Sequence, residues 1–195
     1  DCVAAQVEKS IESIQLYLGT VLAGGIFLPL NTAYTPSELE YFLTDAKPLI
    51  FVCDPKKSAV LEVLAEQTGV GKVFTLSADG LGSLIDALPI HTHSFKEVAR
   101  GKGDLAAFLY TSGTTGRSKG AMLTHDNLVS NAQSLCQCWH FDNTDVLIHA
   151  LPLFHIHGLF VATNVTLSAG SSMIFMPRFD SEMIISLMSR ATVLM

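Results

Sequence analysis

The side chains best suited to chemistry run through Leu109-Tyr110-Thr111-Ser112-Gly113-Thr114-Thr115-Gly116-Arg117-Ser118-Lys119-Gly120. Glycines let a backbone approach a ligand closely and take dihedrals closed to other residues. Successive backbone N–H groups and Ser or Thr hydroxyls donate hydrogen bonds to phosphate oxygens. Lys119 adds a positive charge where the loop ends. That chemistry suits a polyphosphate. The P-loop pattern G-x-x-x-x-G-K-[ST] is not met, because Ser118 stands five positions after Gly113 and Gly120 follows the lysine where Ser or Thr should be. The plain alternative is a polar loop that binds nothing.

A second group lies in Leu151-Pro152-Leu153-Phe154-His155-Ile156-His157-Gly158-Leu159. Spacing alone reads His155 and His157 as ordinary histidines beside a turn. An H-x-H metal pair would need further ligands, and no such cluster accompanies it. On a strand the two histidines would share a face; on a helix they would not. His91 and His93 fall in a stretch punctuated by Gly80, Gly82, Pro89, Gly101 and Gly103, and read as surface residues of a loop. Cys2, Cys53, Cys136 and Cys138 follow no zinc or disulfide spacing and are expected as reduced thiols.

Strands and helices must hold these groups. Leu105-Ala106-Ala107-Phe108 reads as a buried strand leading into the loop, and Thr124 as the N-cap of a helix with Leu128, Ala132, Leu135 and Trp139 on one face. The expected order is strand, loop, lysine, helix. Upstream, 10–23 reads as a helix with Ile11, Ile14, Leu18 and Val21 on its inner stripe, closed by Gly24-Gly25. Residues 26–30 read as a buried strand. Thr35-Pro36-Ser37-Glu38 is a capping box with proline at the first helical position, opening a helix to about Ala46. Residues 49–53 and 73–76 read as strands around a helix at 56–68 that Gly69 ends. The stretch 77–103 is expected to cross between two parts of the fold. Downstream, 146–151 and 171–176 read as strands and 158–169 as a helix that is apolar nearly all round. Asp180 caps a helix through Arg190 with Ile184, Leu187 and Met188 inward, and 192–195 begins a strand. Apolar strands alternating with helices imply an α/β fold of mostly parallel sheets flanked by helices.

Composition narrows the class. Hydrophobic residues make up 49% of the 195 and charged residues 15%, against roughly 25% charged in typical domains; mean hydropathy is +0.39. The longest apolar run, 146–160, is broken by His149, Pro152, His155 and His157, so a spanning helix is not expected. The excess of apolar residues fits a piece of a larger protein, and the first residue, Asp1, reads as an internal start. Net charge is -6 without a basic run, which speaks against nucleic-acid binding.

The loop resembles, nearly letter for letter, the Y-T-S-G-T-T-G-x-P-K-G signature of the adenylate-forming superfamily of acyl-CoA ligases, with Ser118 where most members have proline. The 151–159 block is similar to that family's L-P-x-F-H-x-x-G-L segment. Within the superfamily, Asn31-Thr32-Ala33-Tyr34-Thr35, Val52-Cys53-Asp54-Pro55, Gly116-Arg117-Ser118-Lys119-Gly120 and His157-Gly158-Leu159-Phe160-Val161-Ala162 look like malonyl-CoA synthetases.

The resemblance implies an enzyme that activates a carboxylate with ATP, releases pyrophosphate and passes the acyl group to CoA. It implies that Thr111, Ser112, Gly113, Thr114, Thr115, Gly116, Arg117, Ser118 and Lys119 hold phosphates, that His155 lies in the acyl pocket, and that His157 contacts substrate. Mg2+ is implied beside ATP and CoA, with its acidic ligand outside this chain. Malonate as the acid needs a cation for its second carboxylate, for which Arg178 and the two histidines are candidates. The chain then corresponds to an incomplete large N-terminal domain, without the C-terminal domain, and is expected to be inactive and poorly soluble alone. A cytoplasmic location is expected, or the mitochondrial matrix if a transit peptide precedes it. The competing readings are another short-chain or aryl acyl-CoA ligase and a non-catalytic nucleotide-binding module.

Overall fold

Alternating strands and helices account for most of residues 1–89, 95–111 and 118–195, which the computed structural model describes. They form two units, Asp1–Leu123 and Thr124–Met195. The first runs β1 (Cys2–Gln6), α1 (Ile11–Leu22), β2 (Ile26–Pro29), α2 (Pro36–Ala46), β3 (Ile50–Cys53), α3 (Ser58–Thr68), β4 (Lys72–Thr75), the single turn α4 (Ser83–Asp86), β5 (Leu105–Thr111) and β6 (Lys119–Thr124). The sheet order is β4-β3-β1-β2-β5-β6. β1 pairs in parallel with β2 and β3, β3 with β4, and β2 with β5. The carboxyl ends of these strands therefore share one edge of the sheet, where ligands of open α/β folds bind.

Alternation along the strands divides the core. Cys2, Ala4, Leu28, Phe51 and Cys53 pack with Leu39, Phe42 and Leu43 of α2 and Leu61, Leu64 and Ala65 of α3. Phe27 faces the other way, onto Tyr17 of α1 with ring centroids 5.4 Å apart. The Thr35 box opens α2 as the sequence implies: the Thr35 N–H donates to Glu38 Oε2 at 2.8 Å, and the Glu38 N–H donates to Thr35 Oγ1 at 3.4 Å.

The structure corrects the sequence reading at several places in this unit. The central strand, β1, was not anticipated. α1 buries Ser13, Tyr17 and Thr20, whereas Ile11, expected inside, is 60% exposed. The buried hydroxyls of Ser13 and Thr20 are tolerated there because the helix's own backbone satisfies them: Ser13 Oγ donates to Ser10 O at 2.6 Å and Thr20 Oγ1 to Leu16 O at 2.7 Å. A strand, β6, begins at Lys119 and runs to the helix that Thr124 caps, where the sequence reading placed no strand. The stretch 77–103 does not join the two units but belongs to the first, where Arg100 donates twice to Gly24 O, at 3.1 and 2.7 Å. His91 and His93 lie outside the described residues.

The second unit runs α5 (His125–Trp139), β7 (Val146–His149), a π-helical stretch (His157–Thr163) continuing into α6 (Asn164–Ala169), β8 (Ser172–Phe175), α7 (Ser181–Leu187) and β9 (Val193–Leu194). Its parallel strands lie in the order β8-β7-β9. Thr124 caps α5 reciprocally with Asn127, at 3.0 and 3.2 Å. Leu128 and Ala132 are buried as expected, but Trp139 is 44% exposed. α7 gives way after Leu187 to a 3-10 turn, Met188–Arg190, which leaves Met188 exposed rather than inward. Among the described residues no helix is long and apolar enough to cross a membrane.

Candidate functional site

The loop implicated by the sequence leaves the sheet at the carboxyl end of β5 and returns as β6, its neighbour. Ser112, Gly113, Thr114, Thr115, Gly116 and Arg117 lie outside the described residues. Thr111, Ser118 and Lys119 are described, and the structure brings the two roots of the loop together. Thr111 Oγ1 donates to Lys119 O at 3.5 Å. Both Thr111 and Lys119 are exposed, so the hydroxyl and the ammonium stand at the surface.

One helix face backs these roots. Tyr41 of α2 donates its hydroxyl to Ser118 O at 3.0 Å. Tyr110, the residue before Thr111, donates to Asp45 Oδ2 of the same helix at 2.5 Å. The Tyr110 ring sits 4.5 Å from Phe42 and 6.1 Å from Tyr41, centroid to centroid. Burial first, then the Asp45 carboxylate, pushes the Tyr110 phenol above its ordinary pKa. It therefore stays protonated and able to donate across the physiological range. A Cβ on Gly120 would come within 3.3 Å of the Tyr110 ring, so the strand passes closely over it.

The second motif forms a tight turn between β7 and the π-helical stretch. His149, which the sequence offered only as a break in an apolar run, is fully buried at the end of β7. Its Nε2 lies 2.9 Å from Gly158 O and 3.2 Å from Thr163 Oγ1. Thr163 Oγ1 itself donates to Gly158 O at 3.0 Å. Both neighbours of Nε2 thus present lone pairs, which places the proton on Nε2. Gly158 has no room for a side chain: an added Cβ would stand 2.1 Å from Pro152 O.

This turn presents His155 and His157 on the surface, in different surroundings. His155 packs on the Phe154 ring at 4.5 Å. His157 begins the π-helical stretch and borders a cavity of about 480 Å³ with Trp139, Phe141 and Val193. Only His157 lies in helical structure, His155 being in the turn before it, and the pair does not share a strand face. Arg178 is exposed on the segment between β8 and α7. Among the described residues no three His, Cys, Asp or Glu side chains converge on a possible metal position.

A parallel sheet with a strand-to-strand connection rooted at its carboxyl edge is the architecture of nucleotide-binding α/β domains. The chain belongs to the AMP-binding enzyme family, which matches residues 1–195. It is similar to the ATP-bound crystal structure of MatB from Rhodopseudomonas palustris: 60% identical, TM-score 0.95, covering all of this chain and 38% of that one. It also resembles a malonyl-CoA ligase solved as a ternary product complex with methylmalonyl-CoA and AMP, at 29% identity and TM-score 0.79, over 98% of this chain and 38% of that one. The malonate–CoA ligase of Arabidopsis thaliana is 31% identical over 176 residues, 89% of this chain and 29% of the relative. The chain spans about a third of the length of the curated relatives it matches.

Proposed function

We propose that the protein carrying this chain is an ATP-dependent acid–CoA ligase, that its acid is malonate, and that residues 1–195 belong to its large N-terminal domain. The observation that carries the reading is the 60% identity, with a TM-score of 0.95 over the whole chain, to a structure holding ATP. Malonate is favoured by the name of the Arabidopsis relative and by the methylmalonyl-CoA bound in the ternary product complex.

In this reading a carboxylate oxygen of malonate attacks the α-phosphorus of ATP, and pyrophosphate leaves with the electrons of the broken P–O bond. The CoA thiol then attacks the acyl carbon, loses its proton, and AMP departs as the leaving group. The physical obstacle in the first step is an anion approaching a polyanion. Donors fixed where charge accumulates lower that barrier. Thr111 and Lys119, with Ser112, Gly113, Thr114, Thr115, Gly116, Arg117 and Ser118, supply donors to the β- and γ-phosphates, and Lys119 offsets their charge. His155 borders the acyl group. His157 and Arg178 are the cationic candidates for the carboxylate that does not react. Magnesium bound with ATP would offset phosphate charge, held by ligands outside the described residues.

The test is the acid dependence of product formation by the complete protein. With ATP and CoA, malonate should give malonyl-CoA and AMP, while acetate and butyrate should be worse by up to about 10⁴-fold, since a polar site left without its partner rejects an acid that lacks the second carboxylate. Equal rates with malonate and butyrate would point to a general short-chain ligase. No product with any acid would point to a nucleotide-binding module.

A further inference from the structure

We propose that Tyr41 and Asp45, both on α2, are positioning residues for the nucleotide. They fix the two roots of the loop, and thereby where the Thr111 hydroxyl and the Lys119 ammonium stand. The proposal rests on the reading of this loop as the triphosphate-binding element.

Three ties converge on the roots. Tyr41 Oη donates to Ser118 O at 3.0 Å, across 77 residues of sequence. Tyr110 Oη donates to Asp45 Oδ2 at 2.5 Å, across 65. Thr111 Oγ1 donates to Lys119 O at 3.5 Å and links one root to the other. Tyr41 and Asp45 are one helical turn apart, so a single face of α2 reaches both roots. That face is itself immobilised: Leu39, Phe42 and Leu43 are buried in the core, and Thr35 and Glu38 cap the helix start. The two roots are thus tied to one rigid element as well as to their own strands. β6 needs the support, because all six of its residues are exposed or only half-buried.

The arrangement also accounts for the departure at Ser118. Tyr41 uses the backbone carbonyl of residue 118, so serine and proline serve equally well as its acceptor. Neither tie touches a phosphate. Each acts by raising the fraction of molecules in which Thr111 and Lys119 are correctly placed, and the apparent affinity for ATP scales with that fraction.

The experiment uses Tyr41→Phe, Asp45→Ala and Asp45→Asn in the complete protein. Phenylalanine keeps the ring against Phe42 and Tyr110 and removes only the donor. Asparagine keeps an oxygen that can accept from Tyr110. Tyr41→Phe should weaken ATP binding by calorimetry roughly three- to tenfold, the scale of one net hydrogen bond. KM for ATP should rise by the same factor, with KM for the acid and for CoA unchanged. Amide hydrogen exchange at 118–120 should quicken. Asp45→Ala should do the same with exchange at 110–111, and Asp45→Asn should recover most of the loss. Unchanged ATP affinity in Tyr41→Phe overturns the proposal, as does an equal rise in KM for all three substrates, which would mark general loosening. A wild-type protein that binds no ATP removes the nucleotide reading instead. Exchange at 118–120 then decides separately whether Tyr41 holds the root: faster exchange in Tyr41→Phe upholds the tie, and unchanged exchange refutes it.

Discussion

Replacing Gly158 with alanine tests the turn that carries the two histidines. The added methyl would lie 2.1 Å from Pro152 O, 2.9 Å from the carbonyl carbon of Pro152 and 3.2 Å from Leu151 Cβ. An ordinary carbon–oxygen contact is over 1 Å longer than the first of these, and the nearest atoms are backbone, which cannot rotate away. Either the Pro152 carbonyl or the start of the π-helical stretch must shift. Shifting Gly158 also disturbs its carbonyl, which holds both His149 Nε2 and Thr163 Oγ1. Overpacking of this kind costs about 1–3 kcal/mol, and impairing the buried hydrogen bonds raises the total to roughly 2–5 kcal/mol. At about 2–4 °C per kcal/mol for a domain of this size, Tm should fall by roughly 5–15 °C. Gly170 supplies the control. Its φ is 66° and nothing lies within 4 Å of an added Cβ, so Gly170→Ala should cost only the left-handed strain of about 1–2 kcal/mol. The assay is thermal unfolding of the two variants beside wild type by circular dichroism. A Gly158→Ala protein within 2 °C (about 1 kcal/mol) of wild type, or no worse than Gly170→Ala, would refute the steric argument and with it the geometry of the turn.

Two further outcomes are expected. Lys9 is buried, and desolvation pulls its ammonium from an ordinary 10.5 down to about 7. Between those values the unfolded chain binds the extra proton, so stability should rise as pH climbs from about 7 toward 10; Lys9→Met should flatten that slope in urea titrations across the window, and an unaltered slope would remove Lys9 as its source. Burial pushes the thiols of Cys2 and Cys53 up to about 11 and 12, so a thiol reagent at pH 8 should label exposed Cys138 first, half-buried Cys136 more slowly, and Cys2 and Cys53 only on unfolding; labelling of Cys53 in the native protein would contradict its burial.

What could be read from the sequence was whatever is written locally. The Thr35-Pro36-Ser37-Glu38 box, the Thr124 cap, the helix-ending Gly69 and the Asp180 cap each act within a few residues, and all appear in the structure. The parallel character followed from strands apolar on both faces. The inner face of α1 did not, because its burial depends on Tyr17 meeting Phe27 of another element and on hydroxyls that satisfy themselves. β1 consists largely of small residues, Cys2-Val3-Ala4-Ala5, whose extended state comes from pairing with β2 and β3 on either side. β6 was hidden by the expectation that a helix follows a phosphate loop, although Gly120 suits a strand passing over the Tyr110 ring. Among the candidate residues, Thr111 and Lys119 belong to one contiguous motif and His155 and His157 to another, so each is proposed from its own motif. Tyr41 and Asp45 could not be named in this way, since their partners lie 77 and 65 residues away. His149 carried one legible sign, a polar residue interrupting the apolar run that leads into the histidine motif, but its role needed Gly158 and Thr163 in place.

The central claim is that the loop closing on Lys119 holds the triphosphate of an acid-activating reaction. Malonate-dependent exchange of labelled pyrophosphate into ATP, measured on the complete protein with and without Lys119→Ala, addresses it directly. Removing one preorganised donor of this kind costs about 2.7–4 kcal/mol in the transition state, so exchange should be present in wild type and fall roughly 10²–10³-fold in the variant. Exchange at the wild-type rate in Lys119→Ala would take Lys119 out of the site and contradict the account.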